Sequence, residues 1–353
     1  MKNFDVVVIG GGHAGCEAAH ASARSGTKTL LVTLSKSSIG QLSCNPAVGG
    51  IGKSHLAKEV DALDGLICKV ADNSALQRRK LNLRKGPAVQ ATRLQTCRIN
   101  YKHYMQTELE NYPNLEIIEG EVISLLTVKD QITGIKLVND VEILCKSVVL
   151  TAGTFLGGLI HIGEKSFSAG RVGDKSACQL DSFFRDSGFP TGRLKTGTPP
   201  RIVKSSINFE NLEAQYSDKD KPYLSYLYDH YGSTPNMIEE IPCFITHTNT
   251  NTHEIIEQAK ELSPIYSGAI RSVGPRYCPS IEDKIDRFAD KQSHQIFLEP
   301  ESTANELIYP NGISTSLPEY IQHKFLRTIR GLEQCKISQP GYAVEYSYFD
   351  PRC

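Results

Sequence analysis

The β-branched run Val6-Val7-Val8-Ile9, after Asp5, reads as a strand buried on both faces of a parallel sheet. A glycine turn follows at once, Gly10-Gly11-Gly12-His13-Ala14-Gly15. Residues 16–24 are Ala-rich and predict a helix that Gly26 ends, and Thr29-Leu30-Leu31-Val32-Thr33 predicts a second strand. Strand, glycine turn, helix and strand within about thirty residues make up a dinucleotide-binding unit. Further on, residues 55–64 predict a helix and residues 92–111 a long amphipathic one. Alternating segments at 115–119, 121–128, 132–138 and 141–150, with turn dipeptides Lys129-Asp130 and Asn139-Asp140, predict a β-meander attached to the nucleotide-binding sheet. Its last strand runs into Thr151-Ala152-Gly153-Thr154, a small-residue turn suited to pressing backbone against a cofactor.

The second half is less regular. Residues 170–188 begin as a loop and become a helix, and the Gly/Pro-punctuated stretch 192–201 marks a crossover and a domain boundary. Residues 202–240 are polar and Tyr-rich, as in an insertion. Strands are expected at 243–248 and 295–298, and helices at 252–262 and within 317–331. Ser280 reads as an N-cap, with Glu282 and Asp283 complementing the dipole of the helix it opens.

Composition narrows the class. A hydrophobic fraction of 40% and a charged fraction of 22% describe a folded chain, and 353 residues predict about two domains. The balance of 39 basic and 39 acidic side chains excludes a globally basic nucleic-acid coat. It leaves room for a local excess at Arg78, Arg79, Lys80, Arg84, Lys85 and Arg93, which suits phosphate contact and reads equally as a solvated loop. No apolar run approaches the ~18 residues of a membrane span, and the first is too short for a secretory signal, so a cytoplasmic protein is expected. The ten cysteines show no C-x-x-C and no paired metal-ligand spacing, so most are expected to be buried, reduced and inert, with no metal site.

Three features carry candidate chemistry. In the first turn, Gly10 makes the bend, Gly12 admits a pyrophosphate to the backbone, and Gly15 lets helix and strand pack closely; the helix N-terminus then faces the phosphates. The acidic residue that a plain NAD site carries after the second strand is missing, since Thr33-Leu34-Ser35 stand there. Residues 47–54 imitate a phosphate-binding P-loop, but Ala47 replaces the first glycine and the preceding residues 41–46 are turn-like. A loop lining a flavin or substrate pocket fits better. Cys44 lies in that loop, and Cys278 lies beside Arg276 just before a helix, where a cation and a helix N-terminus favour the thiolate.

Longer motifs run the length of the chain in order: GGGHAG at 10–15, SCNPAVGGIGK at 43–53, KEVDALDG at 58–65, KGPAV at 85–89, GTFLGGLIHIG at 153–163, GRLKTGTPPRI at 192–202, ITHTN at 245–249, GPRYCPSIEDK at 274–284, HQIFLEPE at 294–301 and YPNGISTSLP at 309–318. With them the chain closely resembles the MnmG (GidA) family, the flavoprotein subunit of the tRNA wobble-uridine modification system. The resemblance implies an α/β fold like that of glutathione reductase: an FAD-binding Rossmann domain with an inserted NADH-binding α+β region. Residues 1–201 would be the first part of the FAD domain, 202–290 the insertion and 291–353 the return. The family modifies C5 of the uridine at the first anticodon position to an aminomethyl or carboxymethylaminomethyl form. It works as a homodimer with the GTPase MnmE in a heterotetramer, with methylene-tetrahydrofolate as one-carbon donor, ammonium or glycine as nitrogen source, and NADH as reductant.

Carried onto this chain, the resemblance assigns Gly10, Gly11, Gly12, His13, Ala14 and Gly15 to the FAD pyrophosphate and Val122 to the nucleotide part. Gly153 would contribute backbone, and Ser176 stands one position before a serine that in the family often touches the flavin. Gly274, Pro275, Arg276, Tyr277, Pro279, Ser280, Ile281, Glu282, Asp283 and Lys284 fall in the NAD-binding segment, and Cys44 and Cys278 match the two functional cysteines. C5 of uracil becomes nucleophilic once a thiolate adds at C6, and either cysteine can fill that role. The basic residues at 78–93 become candidates for the tRNA backbone. Family members are much longer, so an incomplete FAD domain, no helical C-terminal domain and an exposed strand edge are expected. Half of a split enzyme, an inactive remnant that binds FAD or NADH only, and a generic NAD(P)H–flavin oxidoreductase remain alternatives.

Overall fold

The computed structural model describes residues 3–272, 274, 279–304, 306–350 and 352. Its first body is built on the strand Asn3–Ile9, which lies between Thr29–Thr33 and Glu142–Leu150, parallel to both. Every residue of Thr29–Thr33 is buried, as expected of a strand covered on both faces. The helix His13–Arg24 lies over the sheet through Cys16, Ala19 and Ala23, whose small side chains permit close approach. On the other face, Val7, Leu30, Ile135 and Leu180 form a second core layer.

Two elements differ from the sequence-based expectation. Leu115–Glu119 is not in the meander. It is the edge strand of the parallel sheet, beside Thr29–Thr33, and the helix Arg98–Glu110 supplies the crossover that a parallel strand requires. The meander is Val122–Val128, Gln131–Leu137 and Glu142–Leu150, with Lys129, Asp130 and Asp140 in left-handed conformations at its turns. The expected helix at 92–111 begins only at Arg98, because Ala91–Thr96 is a strand between Ala75–Leu81 and Ala47–Gly49. Pairing with two neighbours overrides the local helical pattern there.

The second body is an antiparallel sheet in the order Glu213–Gln215, Cys243–His247, Gln295–Pro300, Leu307–Asn311, Arg201–Val203, Ile337–Gln339. Helices Thr250–Gln258, Ile281–Arg287 and Glu319–Leu326 pack on it through Ile256, Ile281, Leu298 and Phe325. The return to the first body therefore falls after Gln339 and not at 291: the strands at 295–300 and 307–311 are central to this sheet. A four-stranded sheet joins the bodies, with Tyr342–Phe349 paired along its whole length to Thr191–Thr198. The stretch 192–201, read from sequence as a crossover, is this strand through Thr198, and Pro199-Pro200 ends it. The insertion is also tied down at its Tyr-rich segment. The buried Asp72 carboxylate accepts the Leu224 and Ser225 amides, and Asp61 accepts the Ser225 hydroxyl and the Tyr226 amide.

Along residues 145–150 the strand pairs with Asn3–Ile9 on one side, and among the described residues its other edge has no strand beside it. Among the described residues no helix is long and apolar enough to cross a membrane.

Candidate functional site

The three glycines of the first turn have three different surroundings. Gly10 has φ +108°, and a Cβ there would stand 2.7 Å from the Thr151 carbonyl oxygen. At Gly15 a Cβ would stand 1.7 Å from the Gly10 carbonyl oxygen, so helix and strand touch through bare backbone. At Gly12 a Cβ would meet nothing within 4 Å, because Gly12 faces a cavity of about 820 Å³. The helix that starts at His13 has no side-chain cap, and its first-turn amides have no intrahelical acceptor. Open backbone, uncapped amides and a helix dipole together form a place for an anionic group.

Residues from distant parts of the chain close the cavity. Thr33 and Leu34, where an NAD site would carry an acid, line it, as do Val122 and Gly153. Lys53, Arg171 and Lys284 bring positive charge to its walls. Arg171 is held by Asp174 at 2.6 Å and donates to Ser43 Oγ at 3.1 Å; Lys284 donates to the Gly312 carbonyl at 2.7 Å. A glycine cradle, uncapped amides and three cations fit a pyrophosphate-bearing cofactor, and a volume of about 820 Å³, lined also by Tyr309 and Asn311, leaves space beyond the phosphates for an aromatic ring system. His13 also lines the cavity. Burial pushes its pKa down to about 4, so it is neutral at pH 7, and its Nε2 has no partner.

Cys44 stands on the wall of the same cavity, half-buried. Its Sγ is 3.2 Å from the Tyr309 hydroxyl and 3.6 Å from the Gly197 carbonyl oxygen, and its own carbonyl accepts Arg98 Nη2. Behind it, Glu301 lies between Arg98 at 3.0 Å and Arg201 at 2.7 Å. The other thiols differ. Cys16, Cys68, Cys97, Cys145, Cys243 and Cys335 are buried, and burial raises the Cys16 pKa to about 12 and the Cys335 pKa to about 11. Only Cys178 is exposed among the described cysteines.

The sequence-derived candidates do not all meet here. Gly10, Gly11, Gly12, His13, Cys44, Val122, Gly153, Pro279 and Lys284 face the cavity. Ala14 and Gly15 do not; they belong to the turn's packing. Ser176 also points away, donating to the Phe155 carbonyl at 3.0 Å, and Ala177 takes the lining position one residue later. In the NAD-like segment, Ser280 and Asp283 cap the helix Ile281–Arg287 reciprocally. Ile281 and Glu282 are core residues outside this cavity's lining, with Glu282 accepting from the Thr315 hydroxyl at 2.9 Å. Gly274 lies against Lys195, which also pairs with Asp283 at 3.6 Å. Pro275, Arg276, Tyr277 and Cys278 fall outside the described residues.

The basic stretch also divides. Arg78 is only 1% exposed and is paired with the fully buried Asp72 at 2.7 Å, so it serves the core and cannot reach a phosphate. Arg93 is committed to Glu299 at 2.6 Å, and Arg79 to Asp218 at 3.2 Å. Lys80 is half-buried, and Arg84 and Lys85 stand on an exposed loop. The P-loop look-alike is a strand, Ala47–Gly49, leading into the helix Lys53–Ala62, but the strand is antiparallel to its neighbour, unlike the parallel strand of a true P-loop. Sequence reasoning misses Tyr309, Asn311 and Arg171 as site residues; Tyr309 and Asn311 sit in a recognisable motif, but nothing local shows which cavity they face.

Two crystal forms of Aquifex aeolicus GidA match over 99% of this chain, at 45% and 46% identity with TM-scores of 0.91 and 0.93. The chain spans 56% and 58% of the length of those two chains. The sequence model of the Glucose inhibited division protein A family matches residues 5–353. The chain therefore belongs to the Glucose inhibited division protein A family.

Proposed function

We propose that the chain binds FAD in the glycine-lined cavity and carries the flavin-binding part of a tRNA-modifying enzyme that acts at C5 of the wobble uridine. The observation that carries this reading is that one cavity joins the bare backbone of Gly12 to the thiol of Cys44. The pyrophosphate would rest on Gly11 and Gly12 and the first-turn amides, with Lys53 and Arg171 near enough to balance charge. Bound flavin would supply two-electron redox chemistry, with NADH as its reductant.

The protein's own part is nucleophilic. A thiolate of Cys44 or Cys278 adds to C6 of the uracil, and the electron pair of the C5–C6 double bond moves onto C5 and O4. C5 then attacks a one-carbon electrophile derived from methylene-tetrahydrofolate. Loss of the C5 proton to a base and departure of the thiolate restore the ring. Ammonium or glycine then bonds to the added carbon as tetrahydrofolate leaves it with the electron pair of the broken C–N bond, giving the aminomethyl or carboxymethylaminomethyl group, in concert with the GTPase MnmE. Arg84 and Lys85, the exposed members of the basic stretch, are the tRNA-backbone contacts in this reading.

The test begins with colour. Purified chain given FAD and freed of excess is expected to keep about one flavin per chain, bleached by NADH. A folded but colourless protein at saturating FAD overturns the cofactor assignment. With flavin bound, tRNA and the GTPase are added and the wobble nucleoside is analysed; Cys44→Ser retaining full modification removes Cys44 from the scheme.

A further inference from the structure

We propose that Tyr309 is a positioning residue for Cys44, its hydroxyl donating a hydrogen bond that fixes the sulfur on the cavity wall and stabilises its thiolate when one forms. This rests on the reading of Cys44 as a working thiol. The geometry is specific. Tyr309 lies on the strand Leu307–Asn311 of the second body, 2% exposed, and its oxygen is 3.2 Å from Cys44 Sγ. Arg201 covers its ring at 4.6 Å and Arg98 at 5.8 Å. Arg201 Nη1 donates to Thr198 Oγ1 at 2.8 Å.

These contacts set a direction. The Cys44 thiol gives its own hydrogen to the Gly197 carbonyl, so its sulfur is left to accept from the Tyr309 hydroxyl. Burial also holds the phenol well above its ordinary pKa, which favours it as the donor. Two acids in contact would otherwise compete; here one is fixed as the donor. The opposite edge of the sulfur faces Gly197 O at 3.6 Å, a contact that suits the neutral thiol only. The thiol thus loses a partner and keeps a stronger one when it ionises.

The experiment uses the full chain and needs neither tRNA nor flavin. Cys44 is alkylated with iodoacetamide from pH 6.5 to 10, and the modified peptide is quantified by mass spectrometry, with the exposed Cys178 as an internal standard. For Tyr309→Phe the expected result is a Cys44 rate about tenfold lower near pH 7 and unchanged near pH 10, with Cys178 unaffected. A Cys44 rate that rises at every pH means that Tyr309 only shields the sulfur and overturns the proposal; so does an unchanged profile. Circular dichroism melts of Tyr309→Phe separate loss of fold from loss of the donor. Failure of Cys44→Ser to affect tRNA modification would overturn the catalytic reading and leave this alkylation result standing, so the two are distinguishable.

Discussion

Gly12 and Gly15 stand in one turn and should fail differently. Gly12→Ala adds a methyl group that meets no protein atom and intrudes on the cavity. The expected outcome is a melting temperature within a degree or two of the parent and at least tenfold weaker FAD binding by fluorescence quenching. Gly15→Ala drives a methyl group into the Gly10 carbonyl, so it should lose several kcal/mol of stability and yield little soluble protein. Equal loss of fold in both variants would contradict the placement of Gly12. His13, between them, makes a pH prediction. Its pKa is about 4 when folded and 6.5 when unfolded, so between these values the unfolded chain binds a proton that the folded chain does not. Stability falls as pH drops from 6.5 and levels off below about 4, by about 3 kcal/mol in all. Urea melts should show that slope reduced in His13→Asn, with no difference between the variants' slopes above pH 7.

At the scale of elements, buried ion pairs hold the segments that carry the site. Arg78 and Asp72 join the strand Ala75–Leu81 to the segment around Leu224, so Arg78→Ala should cost about 3 to 5 kcal/mol by urea denaturation. Charge reversal at Arg84 and Lys85, on the exposed loop, should leave stability unchanged and lower the affinity for tRNA, with a shallower salt dependence. Glu301→Gln would leave Arg98 and Arg201 facing each other without a counter-charge and should cost about 3 kcal/mol. What was legible in the sequence follows from the reach of each signal. The glycine turn, the strands flanking it and the Ser280 cap are encoded within a few residues, so they could be read. Arg78 could not be told from Arg84, because burial is decided by Asp72 and by a segment far along the chain, not by the neighbours. Tyr309 was hidden for the same reason: 265 residues separate it from the sulfur that it touches. Residues 91–96 carry a helical pattern and yet form a strand, because their pairing partners decide their state.

At the scale of the whole molecule, the two bodies share one site, since the glycine turn and Cys44 come from the first and Tyr309 and Lys284 from the second. The joining sheet, with eight paired positions between Thr191–Thr198 and Tyr342–Phe349, keeps them in register. The same architecture leaves a liability at the parallel sheet. Residues 145–150 include Val148, Val149 and Leu150, and Val149 is 38% exposed beside the edge that lacks a strand among the described residues. An unpaired β-branched edge is a template for pairing with another chain. Light scattering on the 353-residue chain should therefore show growth with concentration, and Val149→Lys should suppress it, because a lysine on an edge strand opposes strand addition. The substituted residue is at the surface, so the melting temperature should stay where it was. Growth that persists unchanged in Val149→Lys would place the association elsewhere. The exposed side chains Leu56, Val60 and Leu63, which recur at helical spacing along Lys53–Ala62 and its end, would then be the next surface to change, because they form an apolar stripe that the fold leaves uncovered.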